Sequence, residues 1–287
     1  MKIAIVGAGR VATALAVGWL QAGHEISVAV HLQGTRSRHD AFLPDTPLTA
    51  PEEAAGLAEV VVLGVPDTSI AGVCASLSDG GALHAGQVVL HLSGAAGLEV
   101  LKAASSTGAR PLAMHPLQTF PTVSSAIARM KGTPMAITAE DDETASLGAR
   151  LAGDVGGEPF RLDAKDRPLY HAAAVFASNY VVALAAEAES LLAAAGLEDP
   201  LRALMPLARA SLENVAEFGP EAALTGPVVR GDAVTIRQNL QALATRSPES
   251  VASYVALADL ALHLAARSGR LSEEGRAAVE EVLGEWR

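Results

Sequence analysis

Residues 2–6 form a short apolar run that ends in Gly7-Ala8-Gly9-Arg10-Val11-Ala12 and passes directly into a helical pattern. A G-x-G-x-x-A turn set between a strand and a helix admits few architectures. Gly7 permits the tight turn. Gly9 has no side chain, so a diphosphate can approach the backbone. Ala12 is small enough for the helix to lie close to the strand. The first N–H groups of the helix and its positive dipole end then face the phosphates. Strand, glycine turn and helix together are the fingerprint of dinucleotide binding. Gly7, Ala8, Gly9, Arg10, Val11 and Ala12 are therefore the expected coenzyme turn. The plainer alternative is a glycine-rich turn that only closes a βα unit.

The rest of the first half repeats the alternation. Strand-like runs fall at 25–30, 60–65, 87–92, 110–114, 134–138 and 158–162, with helical stretches at 11–22, 69–77, 98–104 and 143–151 between them. Several runs are continuously apolar rather than alternating, as strands buried on both faces must be. The pattern predicts an α/β domain built on a doubly wound parallel sheet over residues 1–162. Beyond Asp163 the strand signals stop. One long helix is expected over 165–195, then helices near 200–218, 233–244, 248–267 and 272–285, separated by Gly, Pro and Asp or Ser caps. Residues 163–287 thus read as an all-α second domain. Its long apolar first helix suits a second copy of the chain, so a homodimer through the helical domain is expected.

Composition narrows the partners. The net charge of −11 over 287 residues disfavours nucleic acid, although a local basic pocket can still hold a small anion. The single cysteine, Cys74, allows no intrachain disulfide, and no Cys/His cluster has zinc-ligand spacing. The most apolar later segment, 172–186, contains Ser178 and Asn179 and runs into Glu187 and Glu189, so no membrane span is expected. These features describe a cytoplasmic protein acting on a small molecule.

The end of the second strand reads Val28-Ala29-Val30-His31, without the acid that bonds the ribose 2′-hydroxyl in an NAD site. The loop beyond it, Thr35-Arg36-Ser37-Arg38, offers guanidiniums and hydroxyls suited to a 2′-phosphate. NADP is therefore expected over NAD, held by Arg36, Ser37 and Arg38. Val65 and Pro66 end the third strand beside the expected coenzyme, and Asp67 or Thr68 is placed to cap the next helix.

Polar residues collect where strands end. Ser93 closes the run 87–92, and His115 closes 110–114 ahead of Pro116. Lys165, Tyr170, His171 and Asn179 open the helical half, with His171 and Asn179 eight residues apart on one broad helical face. Reducing a C=O or C=N needs a donor where negative charge grows. His115, Lys165, Ser93, Asn179 and His171 are the candidates, with His115 or Lys165 giving the proton. His91, within its strand, reads as structural. In the loop 224–232, Asp232 is a good N-cap. Arg230 is free either to hold a substrate carboxylate, with Thr225 nearby, or to pair with an acid.

Taken jointly, these stretches resemble the family that joins a Rossmann-like NADP domain to a C-terminal helical domain of unknown function, DUF2520. Its markers here are the turn at 7–12, His91-Leu92-Ser93-Gly94, His115-Pro116-Leu117-Gln118-Thr119-Phe120, Tyr170-His171-Ala172 with Ser178-Asn179, and Thr225-Gly226-Pro227 with Arg230-Gly231-Asp232. More distantly the chain is similar to ketopantoate reductases, pyrroline-5-carboxylate reductases and β-hydroxyacid dehydrogenases. The His115-Pro116 pair resembles that of prephenate dehydrogenases. The resemblance implies a helical domain like the C-terminal one of 6-phosphogluconate dehydrogenase. It also implies an NADP-dependent oxidoreductase acting on CH-OH or CH-NH donors. Lys165 and Asn179 would stand where such enzymes carry a lysine and an asparagine, though spaced more widely than in the β-hydroxyacid enzymes. The expected substrate is a small carboxylate-bearing carbonyl or imine of the ketopantoate type, bound between the domains. A non-catalytic NADP-binding module and a deazaflavin-linked NADP reductase are the alternatives.

Overall fold

A computed structural model describes residues 1–29 and 33–287 and divides them into two compact units, Met1–Ser178 and Asn179–Arg287. In chain order the first holds β1 (Lys2–Val6), α1 (Arg10–Gln21), β2 (Glu25–Ala29), α2 (Gln33–Phe42), α3 (Pro51–Gly56), β3 (Val60–Leu63), α4 (Ile70–Asp79), β4 (Val88–His91) and α5 (Lys102–Ser106). It continues with β5 (Arg110–Pro116), α6 (Val123–Arg129), β6 (Pro134–Ala139), α7 (Asp142–Asp154), β7 (Glu158–Arg161) and α8 (Arg167–Ala177).

The seven strands form one sheet in the order β2-β1-β3-β4-β5-β6-β7. The order reverses direction between β1 and β3, at the carboxyl end where open sheets bind ligands. Beside β2, Leu48 makes a one-residue parallel bridge to Val28. It marks where a further parallel strand would lie; Pro44 and Pro47 flank it and cannot donate to a ladder. Pairing is parallel except between β5 and β6, where Ala113 faces Thr138 in an antiparallel ladder. The doubly wound sheet is thus parallel apart from this one pair, where the 117–133 connection returns the chain at the same end of the sheet. Residues 60–63 and 88–91 are buried throughout, with helices over both faces, which explains why they read as unbroken apolar runs. β7 is exposed along its length and carries Pro159, as suits an edge strand. Trp19 is fully buried, and its indole N–H donates to the Leu151 carbonyl (2.8 Å), tying α1 to α7.

The expected domain boundary at 162/163 falls earlier than the boundary of the first unit. α8 belongs to that unit because Arg167, Tyr170 and His171 pack onto the ends of β4 and β5. The expected single helix over 165–195 is also interrupted. A 3-10 turn, Ala164–Asp166, precedes α8, and Ser178 leaves helical geometry (φ −124°, ψ −70°) before the next helix begins. The shared helical face expected of His171 and Asn179 is broken at that residue.

The second unit is all-helical: α9 (Asn179–Ala194), α10 (Pro200–Ala223), α11 (Ala233–Arg246), α12 (Val251–Arg267) and α13 (Glu273–Gly284). Helical geometry in α10 fails at Gly219 (φ 77°), just past the end expected at 218. Asp232 caps α11 by accepting the Thr235 N–H (3.1 Å), as its position suggested. The core of this unit comes from α11, α12 and α13 through Ile236, Leu240, Val255, Leu262, Val279 and Leu283. Neither α9 nor α10 contributes a buried residue. By length and composition alone the stretch Ala164–Ala194, which holds an 18-residue window of mean hydropathy 1.4, is apolar enough to cross a membrane.

Candidate active site

The glycine turn sits at the carboxyl end of β1, where the strand order reverses. Gly7 adopts φ +89°, and its N–H donates to the Ala29 carbonyl (2.9 Å). A second glycine, absent from the expected site, matters as much. Gly64 follows β3 and donates to the Val6 carbonyl (2.8 Å), while the Gly9 N–H donates to the Gly64 carbonyl (3.2 Å). A Cβ on Gly64 would stand 2.2 Å from the Gly7 oxygen and 2.4 Å from the Ala12 Cβ. The turn and the β3 end therefore cross in contact, and Ala12 is small because Gly64 lies against it. The signal in the sequence was a lone glycine directly after a buried strand.

Gly9 offers no side chain to the N-terminus of α1, so the N–H groups of Arg10, Val11 and Ala12 lack both intrahelical and cap partners. They open on a cavity of about 630 Å³, lined at this end by Gly7, Gly9, Arg10, Val11 and Ala12. Ala8 is fully buried, and its carbonyl accepts from Nε of Arg38 (2.8 Å). Thr35 and Arg38 line the same cavity, as do Val65 and Pro66, whereas Arg36 and Ser37 are exposed and do not. The described part of the β2 end carries no acid; Val30 and His31, on which part of that reading fell, lie outside the described residues.

The far end of the cavity is lined by Asp67, Leu92, Ser93 and Phe120. Asp67 does not cap a helix. Its carboxylate accepts the Ser93 hydroxyl at 2.6 Å, and the Ser93 oxygen in turn accepts the Ala96 N–H at 3.0 Å. His91 is fully buried behind this loop. Its Nδ1 accepts the Ser93 N–H (3.2 Å), so Nε2 carries the proton and donates to the Gly97 carbonyl (3.0 Å). Burial and the nearby Arg167 guanidinium push its pKa down to about 4, so a neutral imidazole stands there.

Beside this loop lies a cluster that only the fold assembles. Arg167 on α8 is fully buried. It donates to the carbonyls of Ser93 and Ala96 (2.5 Å for the latter) and to Oγ1 of Thr138 on β6 (3.0 Å), binding three segments together. One turn further, Tyr170 places its hydroxyl 2.8 Å from Nδ1 of His115, with the two rings edge to face at 5.5 Å. His171 completes the group, its ring 6.2 Å from that of His115. Its Nδ1 is buried without a hydrogen bond. Gly94 separates the two imidazoles: a Cβ there would meet His171 Nδ1 at 2.6 Å and His115 Nε2 at 2.9 Å. Burial, then Arg167, lowers the His115 pKa to about 4, and burial raises that of Tyr170 to about 12.

Of the expected catalytic residues, the structure brings Ser93, His115 and His171 together. Lys165 stands instead in the exposed turn before α8, its ammonium 3.8 Å from Asp163. The buried cation is Arg167, which the sequence reading passed over. In the second unit Asn179 opens α9 and is exposed, as is Thr225, and Arg230 lies 3.6 Å from Asp232. No group of three His, Cys, Asp or Glu placed to hold a metal occurs among the described residues.

The fold defines a Rossmann-like α/β unit followed by an all-helical one. Residues 1–116 match the Rossmann-like domain, and residues 133–261 match DUF2520, a domain of unknown function. The chain carries the two matches one after the other. Its fold is similar to a Bacteroides fragilis protein provisionally assigned as an NADP oxidoreductase (24% identity, 91% of this chain and 97% of that one, TM-score 0.73). It is similar also to the reductive aminase of Aspergillus terreus, solved with NADPH and ethyl levulinate (20%, 98% of each chain, 0.67). A third similar structure is the pyrroline-5-carboxylate reductase of Streptococcus pyogenes (18%, 92% and 98%, 0.62). No curated protein matches the chain.

Proposed function

We propose that this chain is an NADP-dependent oxidoreductase that transfers hydride between the nicotinamide and a small carboxylate-bearing carbonyl or imine, of the ketopantoate-reductase type. The observation that carries this reading is the cavity itself. It runs without interruption from the N-terminus of α1 to the Ser93–Asp67 pair, and 630 Å³ is within the range of cofactor sites. The likeness in fold to reductases that bind NADPH supports it. Residues 7–12 fit a diphosphate, since the first-turn N–H groups there have no other partner. Thr35 and Arg38 would hold a 2′-phosphate, with Arg36 and Ser37 at the rim.

When bound, NADPH supplies the hydride. The chain's own part is to orient the acceptor and provide a proton. Ser93 shares its hydroxyl with Asp67 and so presents a fixed oxygen at the cavity's end. His115 is neutral at pH 7, so it acts as an N–H donor rather than as a preformed cation. Between the two expected donors, half-buried His115 fits the role better than exposed Lys165. NADPH oxidation against a panel of 2-keto acids and cyclic imines tests the proposal. His115→Ala should lose at least 100-fold in kcat, a typical general-acid contribution, and Lys165→Ala should lose little. Full turnover in both variants overturns these roles. Tight NADPH binding without turnover of any compound makes the chain a non-catalytic binding module.

We also propose that α9 and α10 meet a second copy of the chain. Val182 and Leu207 are 69% and 68% exposed, and large uncovered apolar faces on one molecule mark contact surfaces. A bilayer suits α9 less well, because its Glu187 is bonded to Ser250 of the same unit. Light scattering should give twice 29.3 kDa. A monomer contradicts the proposal, and a mass that depends on detergent replaces the second copy with lipid.

A further inference from the structure

The hydrogen bond between His115 and Tyr170 has a direction, and the surrounding distances favour one of the two. If Tyr170 donates to Nδ1 across 2.8 Å, the ring proton of His115 sits on Nε2. If instead Nδ1–H donated to the phenol, the phenol proton would be left with the His115 carbonyl at 3.5 Å, the outer limit of a hydrogen bond. The first arrangement puts the phenol proton in the shorter of its two bonds. It leaves Nε2–H unbonded among the described residues and, unlike Nδ1 of His171, not sealed from solvent.

We infer that Tyr170 and His115 form a proton relay, with Nε2–H of His115 as the donor to the substrate heteroatom and Tyr170 as the positioning residue that sets the tautomer and refills Nδ1. This rests on the reductase reading above. As hydride adds to carbon, the π pair of the C=O or C=N moves to the heteroatom, which takes the proton from Nε2. The N–H electron pair stays on the ring, and Nδ1 takes the proton of Tyr170. Nε2 then takes a proton from solvent as Nδ1 returns its own to the phenolate, which restores both the phenol and the Nε2–H tautomer, and NADPH is the sole reductant. Burial disfavours the phenolate, and Arg167, one turn earlier on α8, offsets part of that while opposing a charged His115. The titratable and charged groups facing His115 are Arg167, Tyr170 and His171 from α8, His91 from β4 and Asp67 beyond β3. Among them only Asp67 is anionic, and its carboxylate is taken up by Ser93. The relay thus passes a proton without storing a cation.

The test is ¹⁵N NMR of the full chain labelled at histidine, without coenzyme. At pH 7 His115 should show the Nε2-protonated tautomer alone. Tyr170→Phe should convert it to a mixture of both tautomers, while Arg167→Lys, which keeps the charge, should leave it unchanged. An Nδ1-protonated His115 in the wild type overturns the relay and leaves the reductase reading standing. In turnover, Tyr170→Phe should lower kcat about tenfold and reduce the solvent deuterium isotope effect, with the KM for NADPH unchanged; an unaltered isotope effect also overturns the relay. A chain that holds the expected tautomer but reduces no 2-keto acid or cyclic imine overturns the reductase reading, and the relay with it.

Discussion

The two ends of the cavity in the first unit are built in opposite ways. At the α1 end the working groups are backbone: bare N–H groups, a left-handed glycine, and a crossing so close that Gly64 and Ala12 leave no room between them. At the β4–β5 end they are side chains, positioned by a buried guanidinium that reaches both the 93–96 loop and β6. A backbone site needs only small residues at fixed spacing. A side-chain site needs a network, and every member left without its partner inside the protein is costly.

The variant expected to widen this contrast most is Arg167→Met. It strands the buried Ser93 carbonyl, removes the donor to the half-buried Ala96 carbonyl and leaves the Thr138 hydroxyl with its Leu162 bond alone, and should cost roughly 3–5 kcal/mol of stability in denaturant unfolding. A loss below about 1 kcal/mol would mean that the guanidinium organises nothing. At the other end, Gly64→Ala drives a Cβ into the Gly7 carbonyl. We expect about 1–3 kcal/mol of destabilisation together with at least tenfold weaker coenzyme binding. Near-native affinity would show that the crossing is slack.

Acid should distinguish the ends as well. Both His91 and His115 fall from the usual value near 6.5 to about 4 in the folded chain. The unfolded chain therefore binds more protons between those values, so stability is fully present above about pH 6.5 and lost as pH falls toward 4. His115→Gln should flatten that slope in thermal melts, whereas Gly64→Ala should shift the melts without changing it. The smallest expected effect concerns coenzyme choice. Arg38→Gln should weaken NADPH binding about tenfold, or about 1.4 kcal/mol, and leave NADH unaffected. Arg36→Gln should do less, because Arg36 does not line the cavity.

The same contrast governs what could be read from the sequence. The glycine turn occupies residues 7–12, so a contiguous motif disclosed it, and buried strands disclosed themselves as apolar runs. Gly64 was missed because its partners, Gly7 and Ala12, are more than fifty residues away. His115 and Ser93 were legible as polar residues at strand ends. Arg167 was not: two residues from Lys165 at a helix start, nothing local tells which cation is buried. Only the arrival of α8 over β4 and β5 selects it. Asp67 looked like a cap because caps are local, whereas its actual partner, Ser93, lies across the sheet edge. The antiparallel turn into β6 was hidden for the same reason, since apolar runs carry no direction.

The account depends on the α1 end gripping an adenine dinucleotide that carries a 2′-phosphate. Isothermal titration of the full chain with NADPH and with NADH measures this directly. One NADPH per chain, bound at least ten times more tightly than NADH, is the expected result. No heat with either coenzyme would contradict it.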